Sequence, residues 1–171
     1  ENVLMISHLE RNELNIEKTK QDINEIIDLA ISHVSLIVEN KNGNIITEKN
    51  ANKSIVSGNE THLINVLVNI LDNAIKYNDN SPEILITTEN IGSRLFIKVK
   101  DNGIGMSKAV QSKIFEKFYR KQTGDLHDVK GHGLGLAYVK KIITFHNGNI
   151  SVDSVIDEGS TFTIQLNTLT K

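Results

Sequence analysis

The sequence predicts an α/β fold, of the α+β kind, in which helices cover one face of a single sheet. Segments whose apolar residues recur every three or four positions, the spacing of one helix face, are mixed with segments in which apolar and polar residues alternate. The alternating segments come in pairs separated by short turns, which indicates antiparallel hairpins. Helices mixed with hairpins favour two layers, one of helices and one of strands.

The first half of the chain is predicted to contain two helices with short strands between them. Apolar residues recur at helical spacing over residues 22–34 and again over residues 63–75, and Asn59 precedes the second helix as a candidate cap. Residues 36–38 and 45–46 are short apolar runs on either side of an Asn-Gly pair. Because that pair readily adopts the positive φ angles of a tight turn, the two runs are predicted to form a hairpin.

The second half of the chain is predicted to contain two hairpins and two helices. The hairpins pair residues 84–88 with 94–100 and residues 149–154 with 160–166. The helices cover roughly residues 107–120 and 134–146, and the second stops before Gly148, a residue type that ends helices. The polar stretch 121–132 has no periodicity, so we expect a mobile loop there.

The composition is that of an ordinary globular chain of 171 residues, long enough for one domain with a short appendage. With 39% hydrophobic and 23% charged residues it is not a disordered chain, and the absence of cysteine excludes disulfides and thiolate metal sites. The formal charge of −2 gives no field that would attract nucleic acid. Since no stretch approaches the roughly 20 apolar residues of a membrane span, we expect no direct membrane contact.

The polar side chains of the second helix are as regularly spaced as its apolar ones. One face of this helix carries Asn65, Asn69, Asp72, Asn73 and Lys76. A solvated surface is one interpretation of such a stripe, but asparagines are poor helix formers, and three of them need a reason. Amide oxygens suit a hard cation and a lysine suits phosphate charge, so the face fits a magnesium nucleotide.

Two glycine-containing segments are further candidates. Residues 101–106, Asp-Asn-Gly-Ile-Gly-Met, end a predicted strand, where the aspartate can accept a hydrogen bond from an amine; taken alone, the segment is better explained as a turn. Residues 130–136, Lys-Gly-His-Gly-Leu-Gly-Leu, lead into a helix start, which is either a phosphate site or a glycine-rich hinge. Their GxGxG spacing differs from the dinucleotide and P-loop fingerprints, so a Rossmann domain is excluded.

Five segments, taken together and in order, resemble the sequence boxes of the histidine kinase ATP-binding domain. They are HLINVLVNILDNAIKYN, DNGIGM, IFEKFYR, GHGLGLAYVKKI and GSTFTI. The similarity extends over roughly residues 23–166. It implies the Bergerat fold of the superfamily that also contains gyrase-type, heat-shock-chaperone and mismatch-repair ATPases. This fold is a two-layer α/β sandwich whose mixed, mainly antiparallel sheet has helices on one face.

The resemblance implies ATP and Mg²⁺ as cofactors and assigns roles to individual residues. Asn73 is similar to the family's magnesium ligand, Asn69 supports it, and Lys76 corresponds to a phosphate contact; these three are the implied catalytic residues. Tyr77 would lie along the adenine ring, and Asp101 would accept a hydrogen bond from the adenine amino group.

The other implied roles concern the adenine pocket and its lid. Gly103, Gly105 and Met106 would shape the pocket, and Thr161 matches a threonine that lines it. The lid and the phosphate end of the site would include Phe118, Arg120, Lys121, Gly131, His132, Gly133, Leu134, Gly135 and Leu136. At the position of His132 the family often has a small hydroxyl residue instead.

One position distinguishes kinases from ATP hydrolases within this superfamily. Hydrolysing members, as the resemblance implies, carry a glutamate one turn before the magnesium asparagine, whereas this chain has Asn69. An amide cannot take a proton from water, so the domain is predicted to hold ATP for an external nucleophile. The alternative is a nucleotide-binding switch or ATPase of the same superfamily without histidine kinase activity.

The resemblance also implies what the domain works with. Residues 1–20 resemble the end of the hairpin that carries the acceptor histidine, and residues 21–171 form the ATP-binding domain. None of the six histidines stands in the acceptor's sequence context, so we expect little autophosphorylation by this chain alone. The implied partners are a dimerisation and phosphoacceptor domain, through which homodimers would form, and a response regulator. The domain would be the cytoplasmic part of a membrane-anchored sensor.

Overall fold

The computed structural model describes residues 17–119 and 133–169, which form two sheets and four helices. The strands are β1 (Thr19–Asp22), β2 (Asn44–Lys49), β3 (Ile55–Gly58), β4 (Glu83–Ile91), β5 (Arg94–Asp101), β6 (Asn149–Val155) and β7 (Gly159–Asn167). The helices are α1 (Ile23–Asn40), α2 (Glu60–Lys76), α3 (Lys108–Gln111) and α4 (Gly135–Phe145). No helix in these two ranges is long and apolar enough to cross a membrane.

The main sheet has five strands in the order β2-β4-β5-β7-β6. β2 and β4 run parallel, and the other neighbours run antiparallel. The strands direct one set of side chains into the core, including Ile84, Ile86, Leu95, Ile97, Val99, Phe162, Ile164 and Leu166. The opposite face carries partly exposed residues such as Lys98 and Thr163. The predicted mixed, mainly antiparallel sheet with helices on one face is therefore confirmed.

The long helices bury one stripe each against that face of the sheet. The buried residues of α1 recur at helical spacing, and those of α2 begin after Asn59, whose side chain accepts a hydrogen bond from His62 N. Asp22 caps α1 in the same way, and such caps contribute about 1 kcal/mol each. Because all the stripes face the same sheet, the buried apolar residues form one core.

The predicted strand at residues 36–38, and with it the first hairpin, is wrong. α1 continues to Asn40, because Val38 falls one turn after Val34 and is buried in the same core. Asn42, the asparagine of the Asn-Gly pair, has the expected positive φ of 52°. It lies just after the end of α1, however, and not at the centre of a hairpin. β2 then pairs in parallel with β4, a partner distant in sequence.

The structure differs from the sequence-based prediction at a further helix and at one strand. The helix predicted over residues 107–120 is limited to α3, which Ser107 caps, and turns follow it up to residue 119. β1 was not predicted at all; it pairs with β3 in a separate two-stranded sheet, and the expected domain division after residue 20 falls inside it. Just before β1, Lys18 Nζ donates to Phe145 O at 2.6 Å. The loop predicted at residues 121–132 lies outside the described residues.

A buried histidine joins the ends of two helices. His146 Nε2 accepts a hydrogen bond from Asn59 N at 3.0 Å, and its Nδ1 lies 2.8 Å from Ile142 O. The first nitrogen must be unprotonated and the second protonated, so this arrangement requires the neutral ring. Burial lowers the pKa of His146 below its usual value, and the positive charges of Lys18 and His62 act in the same direction, although the bond to Ile142 opposes them.

This arrangement predicts a loss of stability in mild acid. The folded protein binds fewer protons at His146 than the unfolded chain does, so the free energy of unfolding should fall as the pH decreases through about 6.5. Urea unfolding between pH 8 and pH 5 should show a smaller decrease for His146→Gln than for the wild type. His33→Gln, at an exposed site on α1, should follow the wild type. Parallel curves for wild type and His146→Gln would contradict the assignment.

Candidate functional site

The polar stripe of α2 lies between the core and the surface, as its spacing predicts. Its first four residues are partly exposed, and they are Asn65, Asn69, Asp72 and Asn73. Asn69 Nδ2 donates to Asn65 O at 2.7 Å, and Asn69 Oδ1 points to the start of α4, where a Cβ added at Gly135 would lie 2.6 Å away. The amide is thus fixed with its oxygen, rather than its nitrogen, facing the gap between the helices.

Lys76, at the exposed end of the stripe, pairs with a carboxylate of its own helix. Its Nζ lies 2.5 Å from Asp72 Oδ2, one helical turn earlier. Both side chains are more than one third exposed, so this pair is held weakly. A ligand phosphate would therefore compete with an exposed carboxylate for the ammonium group.

A buried carboxylate lies at the end of β5. Asp101 is only 7% exposed, and its Oδ1 accepts hydrogen bonds from Gly103 N at 2.8 Å and from Ser160 N at 3.2 Å. Burial raises the pKa of Asp101, and the two backbone hydrogen bonds oppose that rise. Both bonds hold the same oxygen, so the carboxylate is oriented and its second oxygen can accept a hydrogen bond from a ligand.

The glycines after Asp101 allow backbone segments to approach each other closely. A Cβ at Gly103 would lie 2.5 Å from Tyr77 O, the same oxygen that accepts a hydrogen bond from Ile104 N at 3.0 Å. Gly105 has a φ of 63°, and a Cβ there would lie 1.8 Å from Val155 O. Gly103 is thus brought beside the backbone of Tyr77, a residue that is 45% exposed, and Gly105 is brought beside the backbone of Val155.

Thr161 lies on the partly exposed face of the main sheet, and its role in the pocket stays a prediction. Side chains alternate along β7, so Ser160 and Phe162 point to the buried face and Thr161 points to the opposite face. Ser160 pairs with Asp101 in the β5–β7 ladder, and Ser160 rather than Thr161 lines the buried side of the strand end. Ser160 is absent from the predicted site residues, although the alternation of STFTIQL places it on the buried face of the strand.

Ser154 is a further residue that the sequence did not predict, and it holds the backbone of Met106 in place. Its Oγ donates to Gly159 O and accepts from Met106 N, each at 2.8 Å, and lies 3.0 Å from Ser160 Oγ. Met106 therefore reaches the site through its backbone, while its side chain packs against the core. No spacing pattern in the sequence predicts the role of Ser154, because its hydrogen bond with Met106 joins segments that are distant in sequence.

The start of α4 is tied to the end of the preceding described segment. Phe118 N donates to Gly133 O at 2.9 Å, and both residues have positive φ, 60° and 67°. Leu134 stands at the N-cap position without a side-chain cap, and Leu136 packs against the core. Phe118 is 68% exposed. Four other predicted lid and phosphate residues, Arg120, Lys121, Gly131 and His132, lie outside the described residues.

The helices α2 and α4 also share a buried polar contact below the site. His62 Nδ1 lies 2.8 Å from Tyr138 Oη. Burial lowers the pKa of His62, and burial raises the pKa of Tyr138 to about 12 against an opposing hydrogen bond from Asn65. In residues 17–119 and 133–169, no three histidine, aspartate or glutamate side chains gather as a metal site.

The family model described as histidine kinase-, DNA gyrase B-, and HSP90-like ATPase matches residues 58–170. The chain belongs to this family. The matched range holds the asparagine stripe, Asp101 and both glycine segments, and it confirms the histidine kinase-type ATP-binding domain that the sequence boxes predict.

Relatives of this ATPase-family domain include two sensor proteins. The sensor protein RprX of Bacteroides fragilis is 42% identical over 168 residues, 97% of this chain and 32% of RprX. The sensor-like histidine kinase SenX3 of Mycolicibacterium smegmatis is 33% identical over 145 residues, 85% of this chain and 38% of SenX3. The chain thus spans about a third of the length of these curated relatives.

Solved structures share the fold of the ATPase-family domain. Full-length ShkA in complex with AMPPNP superposes with a TM-score of 0.85 at 22% identity, over 99% of this chain and 35% of that one. The mycobacterial sensor histidine kinase MprB superposes with a TM-score of 0.75 at 24% identity, over 90% of this chain and 99% of that one. At these identities the comparison establishes the two-layer sandwich.

The close approach at Gly105 predicts a specific loss of stability. Gly105→Ala combines strain at positive φ with a backbone clash against Val155, so it should destabilise the fold by about 2–4 kcal/mol. Gly92→Ala is the matched control, because Gly92 also has a φ of 63° but would place its Cβ in open space. It should cost about 1 kcal/mol. Equal losses for the two variants in urea unfolding would refute the role of the close approach.

Proposed function

We propose that this domain binds Mg-ATP and provides the γ-phosphate to a histidine of a dimerisation and phosphoacceptor domain, as a sensor histidine kinase does. The observation that carries the proposal is the oriented carboxylate of Asp101, together with the partly exposed asparagine face of α2, in a chain of this ATPase family. A buried carboxylate with one oxygen already hydrogen-bonded is suited to reading a single donor group on a ligand.

At the adenine end of the proposed site, Asp101 reads the base. Its second oxygen accepts from the exocyclic amino group, while Gly103 N and Ser160 N hold the first oxygen. Tyr77 lies along the ring, in keeping with its half-exposed side chain at the end of α2. The wall beside the base consists of backbone that Gly103 and Gly105 bring close together.

At the phosphate end of the proposed site, amide oxygens would bind the metal and a helix start would bind the phosphates. Asn73 and Asn69 would hold Mg²⁺ together with the phosphate oxygens, and the fixed orientation of the Asn69 amide, with its oxygen toward α4, fits a hard cation. When bound, Mg²⁺ supplies charge neutralisation to the phosphates. The start of α4 lacks a side-chain cap at Leu134, so its first N–H groups suit phosphate oxygens, and Lys76 adds positive charge.

The reaction we propose is transfer to an external nucleophile rather than hydrolysis. Asn69, at the position one turn before Asn73, cannot act as a general base toward water. The chain's own residues therefore bind ATP and orient its γ-phosphate for the acceptor. The second candidate, a nucleotide-dependent switch or ATPase, is favoured by the breadth of the matched family, which also includes gyrase B-like and HSP90-like ATPases.

For the whole protein we propose a homodimer formed through a domain outside this chain, with a response regulator as its phosphorylation partner. One structural neighbour, the histidine kinase ThkA, has been solved in complex with the response regulator protein TrrA. The names of RprX and SenX3 as sensors support a membrane-anchored parent with this domain on the cytoplasmic side. The terminal segment before residue 20 would lead from the acceptor hairpin.

Asp101→Asn should change base selectivity. The oxygen of the new amide would keep the bonds from Gly103 N and Ser160 N, so its NH₂ group would face the adenine amino group, donor against donor. Calorimetry with Mg²⁺ should show ATP affinity reduced at least about tenfold, and GTP, which carries an acceptor there, weakened less. Asp153→Asn makes the same charge change at an exposed position and should bind like the wild type. Unchanged selectivity in Asp101→Asn would remove the adenine assignment.

Phosphotransfer separates the two candidate functions. With labelled ATP, Mg²⁺ and the separately produced acceptor domain of the full-length protein, the chain should form an acid-labile phosphohistidine on that domain. Asn73→Ala should abolish the label, because the metal site is lost. Steady release of phosphate without phosphohistidine would favour the ATPase instead.

A further inference from the structure

Two loops that border the proposed adenine pocket are joined by a pair of asparagines. Asn78 Nδ2 donates to Asn102 Oδ1 at 2.6 Å. Asn78 directly follows Tyr77 at the end of α2 and is only 6% exposed, while Asn102 directly follows Asp101 at the end of β5. We call this pair the asparagine clasp. Neither member is among the residues given a role in binding above.

The hydrogen bonds around the clasp fix the orientation of both amides. Asn102 Oδ1 also accepts from Glu83 N at 2.9 Å, and Asn102 Nδ2 donates to Ser81 O at 3.2 Å. Asn78 Oδ1 accepts from Asn80 N at 2.8 Å. Exchanging oxygen and nitrogen in either side chain would set donors against donors, so the structure permits one arrangement.

The clasp connects the base-reading carboxylate to the helix that carries the asparagine stripe. Gly103 N and Ser160 N orient Asp101 within its own strand and against β7, not against α2. Within the described residues, the loop after α2 and the turn after β5 are joined by the three bonds of Asn102 and by Ile104 N to Tyr77 O at 3.0 Å. These four bonds act beside the β4–β5 pairing, in which Ile84 lies opposite Asp101.

We propose that Asn78 is a positioning residue for the nucleotide: through Asn102 it sets where Asp101 stands relative to Tyr77 and α2, and so determines adenine affinity and selectivity. The inference rests on the proposed function, since it concerns the same pocket. Asn78 is buried and bonded to protein groups through both ends of its amide, so it acts through Asn102 and Asp101 rather than by touching the ligand.

Asn78→Asp tests the inference with little change of shape. The new carboxylate can still accept from Asn80 N, but its other oxygen faces Asn102 Oδ1, so attraction becomes repulsion. The matched control is Asn90→Asp at the opposite end of β4, where Asn90 forms a similar pair of bonds with Lys53 N and O. Both variants add one negative charge and lose one donated hydrogen bond.

Calorimetric titrations with Mg-ATP and Mg-GTP, beside thermal unfolding, supply the readouts. The wild type must first bind ATP; if it does not, the proposed function fails. Asn78→Asp should then weaken ATP binding roughly tenfold and reduce the preference for ATP over GTP, whereas Asn90→Asp should keep both, even if its melting temperature falls as far. A purely structural role would lower the melting temperature of both variants without changing base preference.

Asn78→Ser provides a milder variant should Asn78→Asp fail to fold. It removes the donated bond to Asn102 without adding a charge and should weaken ATP binding several-fold with a reduced ATP preference. If the wild type binds ATP and the folded Asn78 variants match Asn90→Asp in affinity and base preference, the positioning role is overturned and the ATP site stands.

Discussion

The hydrogen bonds that Gly103 N and Ser160 N donate to one oxygen of Asp101 are the interaction on which the site depends. They keep a carboxylate oriented at the end of the central strand, where burial would otherwise favour its protonation. They also couple the pocket to the β5–β7 pairing. The carboxylate that we propose reads the base therefore lies on the sheet, while the groups proposed to bind phosphate and metal lie on helices.

α2 combines two functions at interleaved positions. Its apolar stripe packs into the core, its asparagine stripe is partly exposed, and Asn69 of that stripe faces the start of α4. Asparagines weaken a helix taken alone, but burial of the opposite stripe outweighs that loss. Tyr138 and His62 then join α4 to α2, so the helix start suited to phosphate and the asparagine face are held by the same packing.

Periodicity in the sequence was enough to predict the sheet layer, both long helices that border the site and the asparagine face. Periodicity failed where one local signal is compatible with two structures. The Asn-Gly pair at Asn42 follows a helix instead of forming a hairpin turn, because Val38 is buried in the core and extends α1. The motif match included Thr161 but not Ser160, which strand alternation places on the buried face, paired with Asp101. β1 and the asparagine clasp join segments distant in sequence, which no local pattern encodes.

The hydrogen bond from Phe118 N to Gly133 O closes a ring of chain between those two residues. The entropy cost of closing such a loop grows only with the logarithm of its length, so a change in length alters the free energy of folding little. Insertions or deletions between Phe118 and Gly133 should therefore cost little free energy, so α4 and the main sheet should keep their register.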